Sequence, residues 1–156
     1  MTGPKVEKRK ASKVAFIEHK GPYDKVPWDV YIEELYGWAK ENRVMPGFHP
    51  FAIYYDAPQQ KPAEQLRSDI CIPYKGIAQS RGRVKVREMS ETMVSTVSHK
   101  GPGSEFPKTY ANLAKWNEEH GYICTGPPIE VYSKKPEVVN GVTILYAKVM
   151  FPVRKK

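Results

Sequence analysis

The tetrapeptide HKGP occurs twice in this 156-residue chain, in EHKGPY at residues 18–23 and in SHKGPG at residues 98–103. Three further blocks follow both copies in the same order. YIEELYGWAKEN (31–42) matches TYANLAKWNEEH (109–120), PFAIYYDAP (50–58) matches PIEVYSKKP (128–136), and DICIPY (69–74) matches KVMFPV (148–153). This alignment places Leu35 on Leu113 and Trp38 on Trp116. Four matched blocks in one order indicate that the chain consists of two copies of one unit.

Each copy begins with a strand and continues as a helix. Residues 13–19 (KVAFIEH) are rich in β-branched and aromatic side chains, which favours a strand, and Gly21 and Pro22 end it. Between residues 27 and 42 apolar side chains recur at three- and four-residue steps, which predicts an amphipathic helix. Residues 51–56 and 68–74 are typical of two further strands. The second copy predicts strands near 92–99, 129–133 and 143–152 and a helix over about 106–120.

The order strand, helix, strand, strand, present twice, predicts the α+β class. We expect two tandem β-α-β-β repeats with pseudo-twofold symmetry, forming a curved, mostly antiparallel sheet with two main helices and a central cleft. A unit of ~70 residues has a thin core by itself, so we expect residues 1–156 to form a single domain. Repeat one covers about 5–74, a linker covers 75–83, and repeat two covers about 84–153, beginning with an added strand at 84–89.

The chain carries a net charge of +8 at pH 7, concentrated at residues 5–13, 75–87 and 154–156. This charge favours acidic partners such as an acidic protein surface, but no nucleic-acid-binding motif accompanies it, and we do not expect direct nucleic-acid binding. No apolar run approaches ~20 residues and no signal peptide is present, so we expect a cytoplasmic protein with no membrane partner. No phosphate loop, nucleophile elbow or metal motif is present, and we expect no cofactor and no bound metal.

Strand alternation divides the side chains of the sheet into two sets. We expect one face to carry the aliphatic core, formed by Ile70, Ile72, Val149 and Phe151. We expect the other face to combine tyrosines with isolated charges and to line the cleft, since clefts between packed units commonly bind small molecules. The candidate ligand-binding residues are Tyr54, Asp69, Glu130, Tyr132, Tyr146, Lys148, Trp38 and Trp116.

Different roles are expected within this set. Trp38 and Trp116 lie on helix stripes, where aromatic side chains usually belong to the core. The repeated histidines of the tetrapeptide fit a role in stabilising the turn better than a role as a catalytic pair. Glu130 is the candidate general base, because burial beside Tyr54 or Tyr132 would raise the pKa of its carboxyl group.

The segment FAIYYDAPQQKPAEQLRSDICIP, residues 51–73, closely resembles the GyrI-like family, which includes DNA gyrase inhibitors and the effector-binding domains of AraC-type and MerR-type regulators. The HKGP turn and PPIEVYSKKP (127–136) are similar to that family as well, and the resemblance covers roughly residues 14–153. It implies a duplicated fold with a central pocket for hydrophobic, often cationic or planar, molecules. Regulator members attach this module to a helix-turn-helix; no residues remain for one here, so we expect a stand-alone member.

The resemblance implies a small-molecule-binding module for hydrophobic or planar ligands, acting as a regulatory, gyrase-modulating or drug-sequestering protein. Two alternatives stay open: a hydrolase of strained, cyclopropane-type drugs with Glu130 as its base, and a protein that binds DNA gyrase directly and inhibits it. Drug-binding relatives usually carry a glutamate in the last strand, where this chain has Lys148 in LYAKVMFPV. Because a lysine repels a cationic ligand, either the ligand is neutral or anionic, or Asp69 and Glu130 supply the negative charge.

Overall fold

The computed structural model describes residues 3–156, which form two α-helices and ten β-strands. In chain order these are β1 (Lys5–Arg9), β2 (Ser12–Lys20), α1 (Trp28–Glu41), β3 (Met45–Pro46), β4 (Phe51–Tyr54), β5 (Arg67–Lys75), β6 (Val84–Met89), β7 (Thr92–Gly101), α2 (Phe106–Glu119), β8 (Tyr122–Cys124), β9 (Ile129–Val139) and β10 (Val142–Lys155). The paired strands described below are antiparallel. The predicted α+β class, with two main helices and antiparallel sheet, is confirmed.

The chain divides into two compact units. The N-terminal unit is Lys10–Glu91, in which the strands lie in the order β4-β5-β2-β6 with β3 beside β5. The C-terminal unit comprises residues 3–9 and Thr92–Lys156, in which the order is β9-β10-β7-β1 with β8 beside β10. Helix α1 packs on the sheet of the first unit and α2 on that of the second. The same elements therefore occur in the same spatial order in both units.

The outer strands β1 and β6 are exchanged between the repeats. β1 precedes β2 in the chain but pairs with β7, while β6 precedes β7 but pairs with β2. Residues 5–9 therefore belong to the C-terminal unit, although the sequence comparison places them in the first repeat. Matching sequence blocks identifies repeated elements, but it carries no information on which of two equivalent strands completes each sheet.

The two helices differ in how much they bury. Leu35 on α1 and Leu113 on α2 are both fully buried, as expected of matched core positions. Helix α1 also buries Tyr31, Trp38 and Ala39. The second buried residue of α2 is the polar Asn117. Both helices have 14 residues, and no helix within residues 3–156 is long and apolar enough to cross a membrane.

The HKGP tetrapeptide forms the turn from strand to helix in both units. Gly21 has a φ of 139°, a conformation that side chains other than glycine's rarely adopt. The ring nitrogen Nδ1 of His19 lies 3.1 Å from the Tyr31 hydroxyl, and Nδ1 of His99 lies 2.7 Å from the Thr109 hydroxyl. Each histidine thereby ties the end of a strand to the following helix, which accounts for the repeated sequence.

Asp56 closes the connection between β4 and β5. Its carboxylate accepts hydrogen bonds from the backbone N–H of Arg67 at 2.9 Å and from the Arg67 guanidinium at 3.0 and 3.1 Å, and it forms an ion pair with Lys61 at 2.9 Å. The hydrogen bonds from Arg67 and then from Lys61 hold the pKa of Asp56 well below its ordinary value. The segment YYDAP and the segment LRSD are thus two ends of one clamped loop.

Candidate functional site

Strand register places three of the candidate residues on the helix-covered face of the sheet. In antiparallel strands, residues directly opposite each other project from the same face. Glu130 lies opposite Val149 and Tyr132 opposite Ala147 in the C-terminal unit. In the N-terminal unit Tyr54 lies opposite Ser68, two residues from the buried Ile70, and the helix contacts this face as well.

The expected division into an aliphatic face and a tyrosine-bearing face is therefore wrong. Tyr54, Glu130 and Tyr132 share the face of the aliphatic core, while Asp69 and Lys148 project from the opposite face. Alternation within one strand gives two sets of side chains, but only the register between strands says which sets coincide. That register follows from turn lengths and bulges that the sequence patterns do not reveal.

Glu130 is the most distinctive group on the helix-covered face. Its side chain is only 7% exposed, and its two carboxylate oxygens accept hydrogen bonds from Tyr110 of α2 and, at 2.9 Å, from Tyr132. No lysine or arginine among residues 3–156 forms an ion pair with it. Burial raises the pKa of Glu130, and the two phenol hydrogen bonds act in the opposite direction without cancelling that effect.

Aromatic rings connect to this carboxylate through Tyr110, whose ring centroid lies 6.4 Å from that of Phe106. Phe106 stacks on His99 with ring centroids 4.0 Å apart, and Tyr110 meets Phe151 edge to face at 5.7 Å. His99 is 5% exposed, and its Nε2 has no hydrogen-bond partner among the residues that the structure describes. The site therefore combines a buried carboxylate, a buried imidazole and several rings. We call Phe106, Tyr110, Glu130, Tyr132 and His99 the Glu130 cluster.

The sequence predicts Glu130 and Tyr132 of the Glu130 cluster as ligand-binding residues. It does not predict that role for Phe106, Tyr110 or His99. Phe106 and Tyr110 lie one helical turn apart at the start of α2, a spacing at which two side chains share one helix face. That spacing was the available signal, but the matching positions of the first repeat carry no such pair. His99 was assigned to the turn alone, and its stacking on Phe106 adds a second role.

The remaining aromatic candidates are packed within their own units. Trp38 is 3% exposed, and its indole N–H donates to the Gln79 carbonyl at 2.8 Å. Tyr54 meets Tyr23 edge to face at 4.7 Å. Trp116, the counterpart of Trp38, is half-buried at the end of α2 and stacks on His120 at 4.1 Å.

Asp69 and Lys148 occupy equivalent positions and belong to two ion pairs of opposite polarity. Asp69 lies 3.4 Å from the guanidinium of Arg87 on β6, and Lys148 pairs with Glu7 on β1. Arg87 lies opposite residue 14, and Glu7 lies opposite residue 94. Residues 14 and 94 are equivalent because the two HKGP copies are 80 residues apart, so Arg87 and Glu7 occupy equivalent places in the two units. The replacement at Lys148 is thus matched by a replacement at Glu7. Tyr55 adds a hydrogen bond of 2.6 Å to Asp69, and burial still raises the pKa of that carboxyl group.

Tyr146 is grouped with lysines on β9 and β7. The Lys134 ammonium lies 4.7 Å from the centre of its ring and that of Lys100 lies 5.8 Å away. A separate groove of about 770 Å³ runs along α1 beside residues 81–84 and includes Trp38, but none of the other candidate residues. The structure thus brings Glu130 and Tyr132 together and leaves Tyr146 and Lys148 in other surroundings.

Residues 2–154 match the GyrI-like small molecule binding domain, nearly the full length of the chain. The chain belongs to the GyrI-like family. The family expected from the tetrapeptide and from residues 51–73 is thereby confirmed. No curated protein is significantly similar in sequence to this GyrI-like domain.

Solved structures share the fold of this GyrI-like domain at low sequence identity. The C-terminal domain of EcmrR is 19% identical with a TM-score of 0.81, covering 99% of this chain and 98% of that one. An EcmrR–DNA complex is 20% identical with a TM-score of 0.80, and there the match covers 99% of this chain but 58% of the EcmrR chain. This chain therefore spans little more than half the length of that EcmrR chain.

Two further solved structures with this fold are a hydrolase and a complex with an organic cation. A hydrolase encoded by lin2189 from Listeria innocua is 14% identical with a TM-score of 0.72, covering 97% of this chain and 91% of that one. SAV2435 bound to tetraphenylphosphonium is 7% identical with a TM-score of 0.59, covering 98% and 94%. At these identities the likeness concerns the fold.

Proposed function

We propose that this GyrI-like domain binds a hydrophobic organic cation that carries aromatic rings, and that Glu130 supplies the charge that selects it. One observation carries the proposal: Glu130 is 7% exposed, yet its hydrogen-bond donors are two phenols rather than a cation. A buried carboxylate without a countercharge is energetically unfavourable. A ligand cation beside Glu130 would provide the missing countercharge and would favour the ionised form.

The aromatic rings of the Glu130 cluster support an aromatic or planar ligand. Aromatic side chains offer large contact areas and attract cations to their faces. Phe106 and Tyr110 come from α2, and Tyr132 comes from the sheet, so a ligand between them would contact both layers of the C-terminal unit. The lipophilic cation bound by SAV2435 is consistent with this ligand class.

The ion pair of Lys148 removes the main objection to a cationic ligand. Lys148 lies on the sheet face opposite Glu130, since it faces Val131 rather than Glu130 across the β9–β10 pair. Its ammonium is already paired with Glu7. In this proposal Glu130 on β9, one of the two carboxylates considered with Asp69, supplies the negative charge that drug-binding relatives usually carry on the last strand.

Isothermal titration calorimetry with tetraphenylphosphonium and with neutral triphenylphosphine oxide tests this proposal. We expect the cation to bind more tightly, and Glu130→Gln to weaken its binding by roughly tenfold or more while leaving the neutral compound unaffected. Glu119→Gln, a substitution at an exposed position of α2, is the matched control and should leave both affinities unchanged. Equal losses for both compounds, or no loss for the cation, would contradict a charge-selective role of Glu130.

A hydrolase acting on strained electrophiles is the second candidate, and the raised pKa of Glu130 favours it. A general acid or base works best when its pKa lies near the pH at which it acts. The hydrolase of Listeria innocua shares the fold. Incubation with a cyclopropane-type alkylating compound, followed by mass spectrometry for the water adduct, is the test. Turnover that persists in Glu130→Gln would remove Glu130 from that reaction.

The cellular role is a separate proposal. We propose that ligand binding serves regulation or sequestration of a drug, in keeping with the DNA complex of EcmrR, whose C-terminal domain shares this fold. Direct inhibition of DNA gyrase stays a prediction based on the family resemblance. A supercoiling assay with the purified protein tests it, and unchanged supercoiling at a large excess of protein would reject it.

A further inference from the structure

Three large apolar side chains at one end of the N-terminal unit are almost fully exposed. Met45 is 70% exposed, Phe48 is 93% exposed and Ile77 is 90% exposed. We call these three residues the apolar tip. Met45 pairs with Lys75 at the end of β5, and Ile77 follows two residues later, so the three side chains belong to two adjacent loops. Exposed apolar clusters commonly mark interaction sites.

The two loops are held together by close backbone contacts. Gly47 N–H donates to the Pro73 carbonyl at 2.7 Å, and a Cβ atom at Gly47 would lie only 2.5 Å from the Pro73 ring. Gly76 approaches Val44 closely enough that a Cβ atom there would lie at 2.9 Å. Phe48 and Ile77 each directly follow one of these glycines. The apolar tip is therefore presented by fixed backbone.

Basic residues accompany the apolar tip. Arg43 and Lys75 are exposed, and the Lys13 ammonium donates to the Gly76 carbonyl at 2.7 Å. None of these three forms an ion pair with a carboxylate within residues 3–156. Lys75 begins residues 75–87, one of the three basic segments of the chain. The other four cations of that segment, Arg81, Arg83, Lys85 and Arg87, form ion pairs with carboxylates of the N-terminal unit.

We propose that the apolar tip and its basic residues form a docking surface for an anionic lipid bilayer. Peripheral membrane binding requires apolar side chains that enter the interface and cations that meet the anionic headgroups. Both are present here on two adjacent and exposed segments of the chain. A second copy of the chain is the less suitable occupant, because a stable protein–protein interface uses roughly 20 residues on each side, far more than this tip offers.

This inference goes beyond the sequence-based expectation of no membrane partner. That expectation concerned spanning segments, and none is found among the described residues. Phe48 and Ile77 lie between breaker residues in stretches that carry no periodic pattern, so their exposure follows only from the fold. Peripheral docking is also independent of the Glu130 cluster, which lies in the C-terminal unit.

Flotation of the full chain with vesicles tests the proposal. One set of vesicles contains phosphatidylcholine alone and the other adds phosphatidylglycerol. We expect binding to the anionic vesicles, with a loss of more than about tenfold in partitioning for the double variant Phe48→Ser/Ile77→Ser. Lys75→Glu should weaken binding by roughly fivefold or more, and high salt should weaken the wild type similarly. Val138→Ser, at an exposed apolar position of β9, is the matched control and should bind like the wild type.

Three results would overturn the proposal. The first is absence of wild-type binding to anionic vesicles, and the second is unchanged binding of the double variant. The third is a wild-type dimer in light scattering that the double variant loses without any vesicle binding, which would make a second copy the occupant. Circular dichroism confirms that each variant is folded, and all substituted positions are exposed or lie in loops.

Discussion

The two equivalent ion pairs predict why the outer strands are exchanged. If a two-residue turn at 10–11 folded β1 back on β2, Glu7 would lie opposite Val14. That is the position of Arg87, so Glu7 would approach Asp69. In the equivalent hairpin of the second repeat, β6 would fold back on β7 and bring Arg87 beside Lys148. Like charges at neighbouring positions destabilise a sheet, so the observed charges favour the exchanged pairing over the two simple hairpins.

The size of this effect can be worked out for the pair formed by Glu7 and Lys148. Their side chains are 32% and 38% exposed, which places the pair within the range of surface ion pairs, about 0.5 kcal/mol. Reversing one charge removes the attraction and adds a repulsion of similar size. Each single reversal, Glu7→Lys or Lys148→Glu, should therefore cost about 1 kcal/mol, and the double reversal should restore most of the loss.

Urea unfolding of the four proteins at low salt measures this coupling. Far-ultraviolet circular dichroism and tryptophan fluorescence should give coincident transitions if unfolding is two-state. We expect a coupling free energy of about 2 kcal/mol between the two positions, reduced at high salt. Lys148 lowers the pKa of Glu7. The coupling should therefore be fully present above the ordinary pKa of a glutamate and should disappear as the pH falls through the lowered value.

Additive single losses would refute this reasoning, because they would mean that Glu7 and Lys148 act independently. The control is the more exposed and unrelated pair formed by Lys134 and Glu137, which joins two residues of one strand. Charge reversal at Lys134 or Glu137 should leave the pairing of β1 with β7 unchanged, because this ion pair does not connect an outer strand to its sheet.

Three further predictions concern stability. Burial raises the pKa of Glu130, so the wild type should lose stability as the pH rises from the ordinary glutamate pKa through the raised one; Glu130→Gln should flatten this dependence in urea titrations between acid and neutral pH. Gly21→Ala should cost about 1–3 kcal/mol in urea unfolding, because φ is 139° there, whereas Gly37→Ala in the middle of α1 has open space and should stabilise the protein. Leu113→Ala should cost about 2–5 kcal/mol by the same measurement, because the side chain is fully buried beneath α2, and a loss below 1 kcal/mol would show that α2 contributes little to the core.

Much of the fold could be predicted because its signals are local and occur twice. The strand at residues 13–19 and the helix at 27–42 each have a clear periodicity and a clear breaker, and the structure has β2 and α1 at these places. The exchange of β1 could not be predicted in this way. Residues 5–9 read as a basic stretch, and their pairing partner β7 lies more than 80 residues further along the chain.

The site was predictable in part for a related reason. Alternation correctly placed Glu130 and Tyr132 on the same side of β9, because that inference needs one strand only. Grouping them with Lys148 required the register of β9 against β10, and β-bulges near Tyr146 shift that register. Tyr110 could not be predicted by comparing the repeats, because its counterpart Ile32 has no hydroxyl group that could bond to a carboxylate.

Comparing equivalent positions of the two repeats distinguishes charges that form ion pairs within the protein from Glu130, which has no such partner. Where Asp69 of the first repeat becomes Lys148, the partner changes sign as well, from Arg87 to Glu7, so the pair survives as an ion pair. Glu130 differs, since its counterpart is the buried Ala52. The change from alanine to glutamate adds a buried carboxyl group, whose hydrogen-bond donors are the neutral phenols of Tyr110 and Tyr132. The described residues supply no cation to the ionised form of Glu130, which is why we propose Glu130 as the position that a cationic ligand would contact.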